Sequence, residues 1–276
     1  MTTIRAQKVA LVFGKDWLEI RRNWQILFPL VIIPLFFAIM LPLMVIGSTI
    51  SVPSHASSQG LQTLMKTLPN HVKDEILGMT ARQAITYIVS VYFFAPIFLV
   101  IPIMASSVIA SDSFAGEKER RTMEALLATP LSDSEMLLGK MLVSFVPAVA
   151  VTVIAFMVYA SVVDHFTFQL YSGALLFPNN TWLMLIFILA PALSFADIEL
   201  TVLISTRAKG VREAQQISTL LLVPLIGIVV GQVSGAMLLD PALVTVMAIA
   251  LIGADAVMFA ASIKAFGRDR MLATLT

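Results

Sequence analysis

Long apolar runs separated by short polar segments form the main pattern along this chain. A run of about 20 apolar residues is long enough to cross the hydrocarbon core of a bilayer as a helix. Six such runs lie near residues 26–47, 84–110, 141–163, 181–205, 217–239 and 242–263. The pattern predicts an all-α membrane protein with six transmembrane helices that form one domain over residues 1–276.

The last two apolar runs are separated only by Asp240 and Pro241. Together they are about twice as long as one span requires, so a tight hairpin between them is expected. Proline is well suited to the first turn of the returning helix, because its missing N–H has no helical partner at that position.

Composition supports the membrane class. Hydrophobic residues make up 58% of the 276 residues and charged residues 13%, whereas soluble domains carry about 25% charged residues. The lipid bilayer is therefore an expected partner, and a nucleic acid is not. The chain contains no cysteine, which excludes disulfides and thiolate metal sites, and no metal ligand set is expected.

Basic residues indicate the orientation of the spans. All but three of the 18 lysines and arginines precede the first run, follow the sixth, or lie after the second and fourth runs. The exceptions are Lys66, Lys73 and Arg82. Cytoplasmic loops carry an excess of lysine and arginine, so both termini are expected in the cytosol. Residues 48–83 form the large extracytoplasmic segment, which ends in a predicted capping box at Thr80 and Gln83.

The first 25 residues have two chemically distinct helical faces. Aromatic and aliphatic side chains share one face, formed by Ala6, Ala10, Phe13, Trp17, Ile20 and Trp24. Charged side chains share the other, formed by Arg5, Lys8, Lys15, Glu19 and Arg22. This arrangement is typical of an amphipathic helix that lies in the plane of the membrane interface, and residues 1–25 are expected to form one.

A polar segment between the second and third runs is dense in charge. Gly116 is expected to break the helix that leaves the second span, and Glu117–Ala128 is expected to form a short cytosolic helix. Pro130 would end it, because the residue before proline avoids the helical region. Ser132 and Glu135 then fit a capping box that starts the third span. The apolar edge of the short helix consists of Met123, Leu126 and Leu127.

The residues of this segment are also recognisable as a motif. Residues 114–130, Phe-Ala-Gly-Glu-Lys-Glu-Arg-Arg-Thr-Met-Glu-Ala-Leu-Leu-Ala-Thr-Pro, precede Leu-Leu-Gly-Lys at 137–140. This sequence closely resembles the central loop of ABC-2-type permeases, the membrane subunits of ATP-binding-cassette exporters. Residues 15–24, 204–216 and 266–272 are similar to the family's start, second cytosolic loop and tail. The resemblance therefore extends from end to end of the chain.

The resemblance implies a permease that moves its substrate outward across the cytoplasmic membrane of a prokaryote. The chain lacks the Gly-x-x-x-x-Gly-Lys-Ser/Thr loop that cradles ATP phosphates, so it is not expected to be an enzyme or to bind a cofactor. ATP and Mg are expected on a separate ATPase subunit, and a second permease copy, identical or related, completes the assembly. The residues implied in coupling to the ATPase are Gly116, Glu117, Lys118, Glu119, Arg120, Met123, Leu126, Leu127 and Pro130, with Arg207, Arg212 and Glu213 in the second loop.

Three acidic residues lie within apolar runs: Asp197, Glu199 and Asp255. Charges in hydrocarbon are costly, and they are functional candidates by default. They are candidates for a substrate or ion path; alternatively, Asp197 and Glu199, about two turns from the cytosolic end, reach water or a partner side chain, whereas Asp255 lies nearer the middle of its span. An ion-coupled secondary carrier is thus one alternative function, although no half-to-half repeat supports it. A non-transporting membrane scaffold is another.

Overall fold

A computed structural model describes residues 5–51, 62, 65, 68–120, 122, 129–205, 208, 210–234 and 237–265. Within these residues the secondary structure is helical, without a β-strand. Two helices precede or connect the spans: α1, Ala6–Arg22, and α3, Asn70–Glu75. The six helices that are long and apolar enough to cross a membrane are α2 (Trp24–Ser51), α4 (Ala81–Glu119), α5 (Asp133–Thr167), α6 (Asn180–Ser205), α7 (Val211–Val233) and α8 (Pro241–Ala265). The predicted all-α class with six transmembrane helices is confirmed.

Every predicted run except 217–239 lies within one helix, and this fifth run extends beyond the end of its helix. Helix α7 begins at Val211 and ends at Val233. Leu238 and Leu239 are buried in the core, so these apolar residues fold back against the protein instead of extending the helix. Asp240 then caps α8 by accepting a hydrogen bond from the Leu243 N–H at 2.7 Å.

The predicted capping boxes at Thr80 and Ser132 are both present. Thr80 Oγ1 accepts a hydrogen bond from the Gln83 N–H, and the Gln83 side chain accepts one from the Thr80 N–H, at the start of α4. Ser132 and Glu135 make the equivalent pair at the start of α5. Each box satisfies two backbone donors that a helix start would otherwise leave free.

The connecting segments meet at two ends of the helical bundle. At one end, termed the basic end, α1 contacts the start of α5, and the end of α4 contacts residues 208–211. At the opposite end, Gln83 donates a hydrogen bond to the Leu170 carbonyl, and His71 lies 3.7 Å from Asp240. Alternate connections therefore lie at the same end of the bundle, as successive full membrane crossings require.

Helix α5 lies at the centre of the bundle and packs against α1, α2, α4 and α6. Towards the opposite end, its Tyr159 stacks on Trp182 of α6, with ring centroids 4.9 Å apart. Both side chains are fully buried. This aromatic core holds together the halves of the helices that lie towards the opposite end.

A π-helical turn at Val89–Phe93 connects this core to three helices. Tyr159 donates a hydrogen bond to the Ser90 carbonyl at 2.7 Å, and Trp182 donates one to the Val91 carbonyl at 2.8 Å. Gln232 of α7 donates to the Tyr92 carbonyl at 3.1 Å. That carbonyl is available because Pro96, four residues later, has no N–H. Helices α5, α6 and α7 are thus each bonded to the backbone of α4.

Helix α1 is a separate element because Asn23 leaves the helical conformation between it and α2. Its buried residues are Val9, Val12, Asp16 and Ile20. Phe13 and Trp17 of the predicted apolar face are only half-buried, and Trp24 is exposed. The face that packs against the protein is therefore rotated from the predicted apolar face. Placement of α1 in the membrane plane stays a prediction.

Candidate functional site

The basic end contains a cluster of four charged side chains, three of which are buried. At its centre is Lys140, whose side chain is 0% exposed. The Lys140 ammonium lies 2.8 Å from Glu117 Oε2 and 3.3 Å from Asp16 Oδ2. It also donates a hydrogen bond to the Ser113 carbonyl at 2.7 Å. Lys140 thus joins the start of α5 to the end of α4 and to α1.

Lys15 completes the cluster from the surface. Its ammonium lies 2.7 Å from Glu117 Oε1 and 3.0 Å from Asp16 Oδ1. Burial by itself would lower the pKa of Lys15, but the hydrogen bond to Glu117 and the charges of Glu117 and Asp16 outweigh that effect and raise the pKa. The two carboxylates therefore face two ammonium groups, and the buried charges are balanced.

Local structure at the end of α4 brings these groups together. A π-helical turn at Asp112–Gly116 precedes the last residues of the helix. Its Ser113 hydroxyl donates a hydrogen bond to Asp16 at 3.1 Å. Glu117, four residues further on, shares this face of the helix. The Phe114 ring lies 5.7 Å from the Lys140 ammonium, close enough for a cation–π contact.

The prediction that Gly116 breaks the helix is wrong. Gly116 is helical, and α4 continues through it to Glu119. A Cβ at this position would lie 3.0 Å from the Arg120 guanidinium and 3.1 Å from Asp112 Oδ1. The glycine therefore leaves room for an ion pair between Arg120 and Asp112, whose atoms are 3.0 Å apart. Arg120 also lies 3.2 Å from Glu19 of α1.

The predicted helix Glu117–Ala128 is not continuous. Among the residues of this range that the structure describes, Glu117–Glu119 are helical, as the end of α4, and Thr122 lies outside the helix. The Thr122 N–H donates a hydrogen bond to the Glu117 carbonyl at 2.9 Å, which caps α4. The predicted apolar edge at Met123, Leu126 and Leu127 lies outside the described residues.

The end of α4 also contacts the segment before α7. Lys118 donates a hydrogen bond to the Ala208 carbonyl at 3.3 Å, and Glu119 accepts one from the Val211 N–H at 3.0 Å. A Cβ at Gly210 would lie only 2.7 Å from Glu119 Oε2, so a side chain there would displace the Glu119 carboxylate from this position. Arg212 and Glu213 are exposed beside it. The predicted site residue Arg207 is outside the part of the chain that the structure describes.

The start of α5 is held by the N-terminal segment. Glu135 Oε1 accepts a hydrogen bond from the Arg5 N–H at 3.0 Å. Lys8 donates one to the carbonyl of Pro130 at 2.6 Å and lies 3.6 Å from Glu135. The predicted residue Pro130 therefore lies at the junction between the two segments.

An open polar groove of about 680 Å³ lies beside the buried cluster. It separates the α1–α2 junction from the end of α4 and the start of α7. Its lining residues are Asn23, Gln25, Asp112, Gly116, Glu119, Arg120, Gly210, Val211, Arg212 and Glu213. Of the predicted coupling residues that the structure describes, five line this groove, whereas Glu117, Lys118 and Pro130 are not among its lining residues.

Sequence reasoning missed the partners Asp16, Ser113 and Lys140. Asp16 belongs to an amphipathic pattern, in which charged residues are expected to face solvent. Lys140 stands at the margin of an apolar run, where lysine usually reaches water. The available signal was their apolar surroundings: Lys140 is flanked by Leu137, Leu138 and Met141, and a lysine buried there needs carboxylate partners.

The three acids within the spans occupy two separate places. Asp197 faces α4 and accepts a hydrogen bond from the Ser106 hydroxyl at 2.7 Å. Glu199, two residues further along α6, and Asp255 of α8 lie on two helices that pack against each other. All three are buried. The structure therefore places Asp197 on the side of α6 that faces α4, and Glu199 and Asp255 on helices that pack against each other.

The fold defines an α-helical membrane protein with six spans and a charged, interlocked basic end. A family model described as ABC-2 family transporter protein matches residues 10–247. The chain belongs to this family of ABC transporter membrane domains. No curated protein and no solved structure matches it significantly.

Proposed function

We propose that the chain is the permease subunit of an ABC exporter, driven by a separate ATPase subunit that binds its basic end. The buried Lys140 cluster carries this proposal. It joins α1, α4 and α5, and the contacts of Lys118 and Glu119 add the segment before α7. A force applied to any one of these segments reaches the others, because buried ion pairs resist separation.

In this proposal the basic end faces the cytosol and the opposite end faces outward. The cell membrane is that of a prokaryote, and two permease copies act together. ATP and Mg bind the ATPase, which performs the hydrolysis. The polar groove beside the cluster offers the ATPase exposed charges of both signs, including Arg212 and Glu213.

Charge reversal at the groove tests the docking site. Arg212 is exposed and makes no hydrogen bond or ion pair with another described residue, so Arg212→Glu should leave the fold intact. Charged residues at the edge of a protein–protein interface mainly affect the rate of association. We therefore expect the Arg212→Glu chain to retain less ATPase during co-purification. Asp74→Lys, an exposed charge reversal on α3 at the opposite end, is the matched control.

The measurement is co-purification with an ATP-binding-cassette ATPase encoded beside the chain, followed by ATP hydrolysis in lipid. Candidate substrates should stimulate hydrolysis by the complex. The side chains of the transmembrane helices are mostly apolar, so amphipathic compounds are the first group to screen. Failure of the wild-type chain to retain any ATPase, or equal loss in both variants, would contradict the proposal. A complex whose hydrolysis no compound alters would instead favour a scaffold.

A further inference from the structure

An apolar groove runs between α2 and α4, and every residue that lines it is apolar. Residues spaced by four share one face of a helix, and each of the two helices presents such a stripe of half-buried side chains to the groove. The stripes consist of Pro29, Ile33 and Phe37 on α2 and Val100, Met104 and Val108 on α4. The groove holds about 480 Å³, including its open side.

The groove has the length and the depth of one membrane leaflet. Each stripe covers eight residue steps, or about 12 Å of helix. The hydrocarbon core of a bilayer is about 30 Å thick, so one leaflet contributes about 15 Å. On α2 the groove begins at Pro29, between one and two turns after Trp24. Trp24 is 70% exposed, and tryptophan is enriched at the membrane–water interface. The groove therefore extends from just inside the interface to about the middle of the bilayer.

The size and chemistry of the groove favour a hydrocarbon chain as its occupant. Water is disfavoured, because an apolar cavity offers it no hydrogen-bond partners. A helix of a second copy, about 10 Å wide, would need roughly 900 Å³ over the same 12 Å, which is more than the groove holds. The acyl chains of the surrounding lipid are apolar, narrow and present at this depth. An empty groove would also lose the dispersion contacts that such a chain supplies.

Basic side chains lie where the groove meets the interface. Arg21 and Arg22 belong to the last turn of α1, and both are exposed. Ile20 of the same turn packs in one cluster with Leu30 and Ala105, which also line the groove. This end of α1 therefore lies beside the groove. Basic residues at the membrane surface attract anionic lipids, and the guanidinium group matches the geometry of a phosphate.

We propose that the groove between α2 and α4 binds one acyl chain of an anionic phospholipid, whose phosphate is bound by Arg21 and Arg22. The apolar stripes hold the chain, and the two arginines select the negative headgroup. The proposal goes beyond the exporter function, because it assigns a bound lipid to the permease itself. It also holds for either orientation of the basic end, since both leaflets supply acyl chains.

Native mass spectrometry of the purified full-length chain in detergent tests this site. Dioleoyl phosphatidylglycerol, which is anionic, and dioleoyl phosphatidylcholine, which is zwitterionic, are added at equal concentrations. We expect the chain to retain several-fold more phosphatidylglycerol. A phosphatidylglycerol with a photoactivatable diazirine on one acyl chain then locates the contact, and we expect crosslinks in residues 29–37 and 100–108. Equal retention of the two lipids, no retention of either, or crosslinks confined to other helices would overturn the proposal.

One pair of variants tests the groove itself. Val100→Trp places a large side chain in the groove and should lower the retention of both lipids several-fold. Val246→Trp is the matched control, because Val246 lies on α8 and is 64% exposed, and it should leave retention unchanged. Equal retention by the two variants would mean that the lipid binds elsewhere on the chain.

A second pair tests the headgroup contact and uses positions at the surface, where substitution leaves the core intact. Replacement of both Arg21 and Arg22 by glutamine should abolish the preference for phosphatidylglycerol. Loss of two positive charges elsewhere, by Lys73→Gln together with Arg212→Gln, should preserve it. An unchanged preference in the first variant would contradict the assigned headgroup site, whether or not Val100→Trp folds. The assay contains no ATPase, so its failure leaves the exporter proposal to its own test.

Discussion

The most consequential residue at the basic end is Lys140, because its single ammonium serves three segments of the chain. Its side chain is fully buried, whereas Lys15, which binds the same two carboxylates, is half-exposed. Water can replace Lys15 but has no access to Lys140. The two lysines therefore have the same partners and very different energetic roles.

Lys140→Met should destabilise the protein by roughly 3–5 kcal/mol, the usual cost of removing one partner from a buried ion pair. Lys15→Met, the matched control, should cost about 1 kcal/mol or less, as exposed pairs do. Thermal unfolding in detergent, followed by size-exclusion chromatography, measures both. An equal loss of stability in the two variants would mean that Lys140 is not the central residue of the cluster.

At the scale of elements, α1 is held against α5 by an unusually close approach. A Cβ at Gly139 would lie 2.6 Å from Val12 Cβ and 3.1 Å from the Val9 carbonyl oxygen. The sequence predicted a helix in this region but not the face that packs. Amphipathicity identifies where apolar residues lie, whereas the contact face depends on Gly139 and Lys140, which are distant in sequence.

Gly139→Ala should displace α1 and expose Lys15 to trypsin, even though alanine is the better helix former by about 0.5–1 kcal/mol. Gly227→Ala in α7 is the control, since a Cβ there meets no heavy atom within 4 Å. The rate of cleavage after Lys15 is the readout. Unchanged cleavage in Gly139→Ala would show that α1 packing does not depend on this glycine.

The π-helical turn Val89–Phe93 gives a second prediction about an element. Tyr159→Phe removes the donor to the Ser90 carbonyl, and a buried acceptor left without its partner costs about 1–3 kcal/mol. Tyr87→Phe should have little effect, because its hydroxyl meets Glu75 at an exposed position. Comparison of their unfolding temperatures decides the point, and equal temperatures would argue against a role for the turn in joining the helices.

At the scale of the whole molecule, hydropathy and length predicted the class and the number of spans. They failed at 217–239, where Leu238 and Leu239 contribute to the core of the opposite end instead of to a longer helix. Hydropathy measures only how apolar a segment is, and a buried turn can be as apolar as a span. The buried cluster at the basic end was likewise beyond the sequence, because its members come from three distant segments.

Topology is a further prediction at this scale. The chain has no cysteine, so single cysteines report position without background. Asp74→Cys should react with an impermeant thiol reagent in intact cells, and Arg21→Cys should react only after the membrane is opened. Both positions are exposed. The reverse pattern would overturn the orientation given by the basic residues.

The central claim is that an ATPase binds the interlocked basic end. Hydrogen–deuterium exchange of the chain with and without its ATPase tests it most directly. The account predicts slower exchange on binding in residues 112–120 and 208–213, and no change in residues 70–80 and 167–180. Slower exchange confined to the opposite end, or no change anywhere in a stable complex, would contradict it.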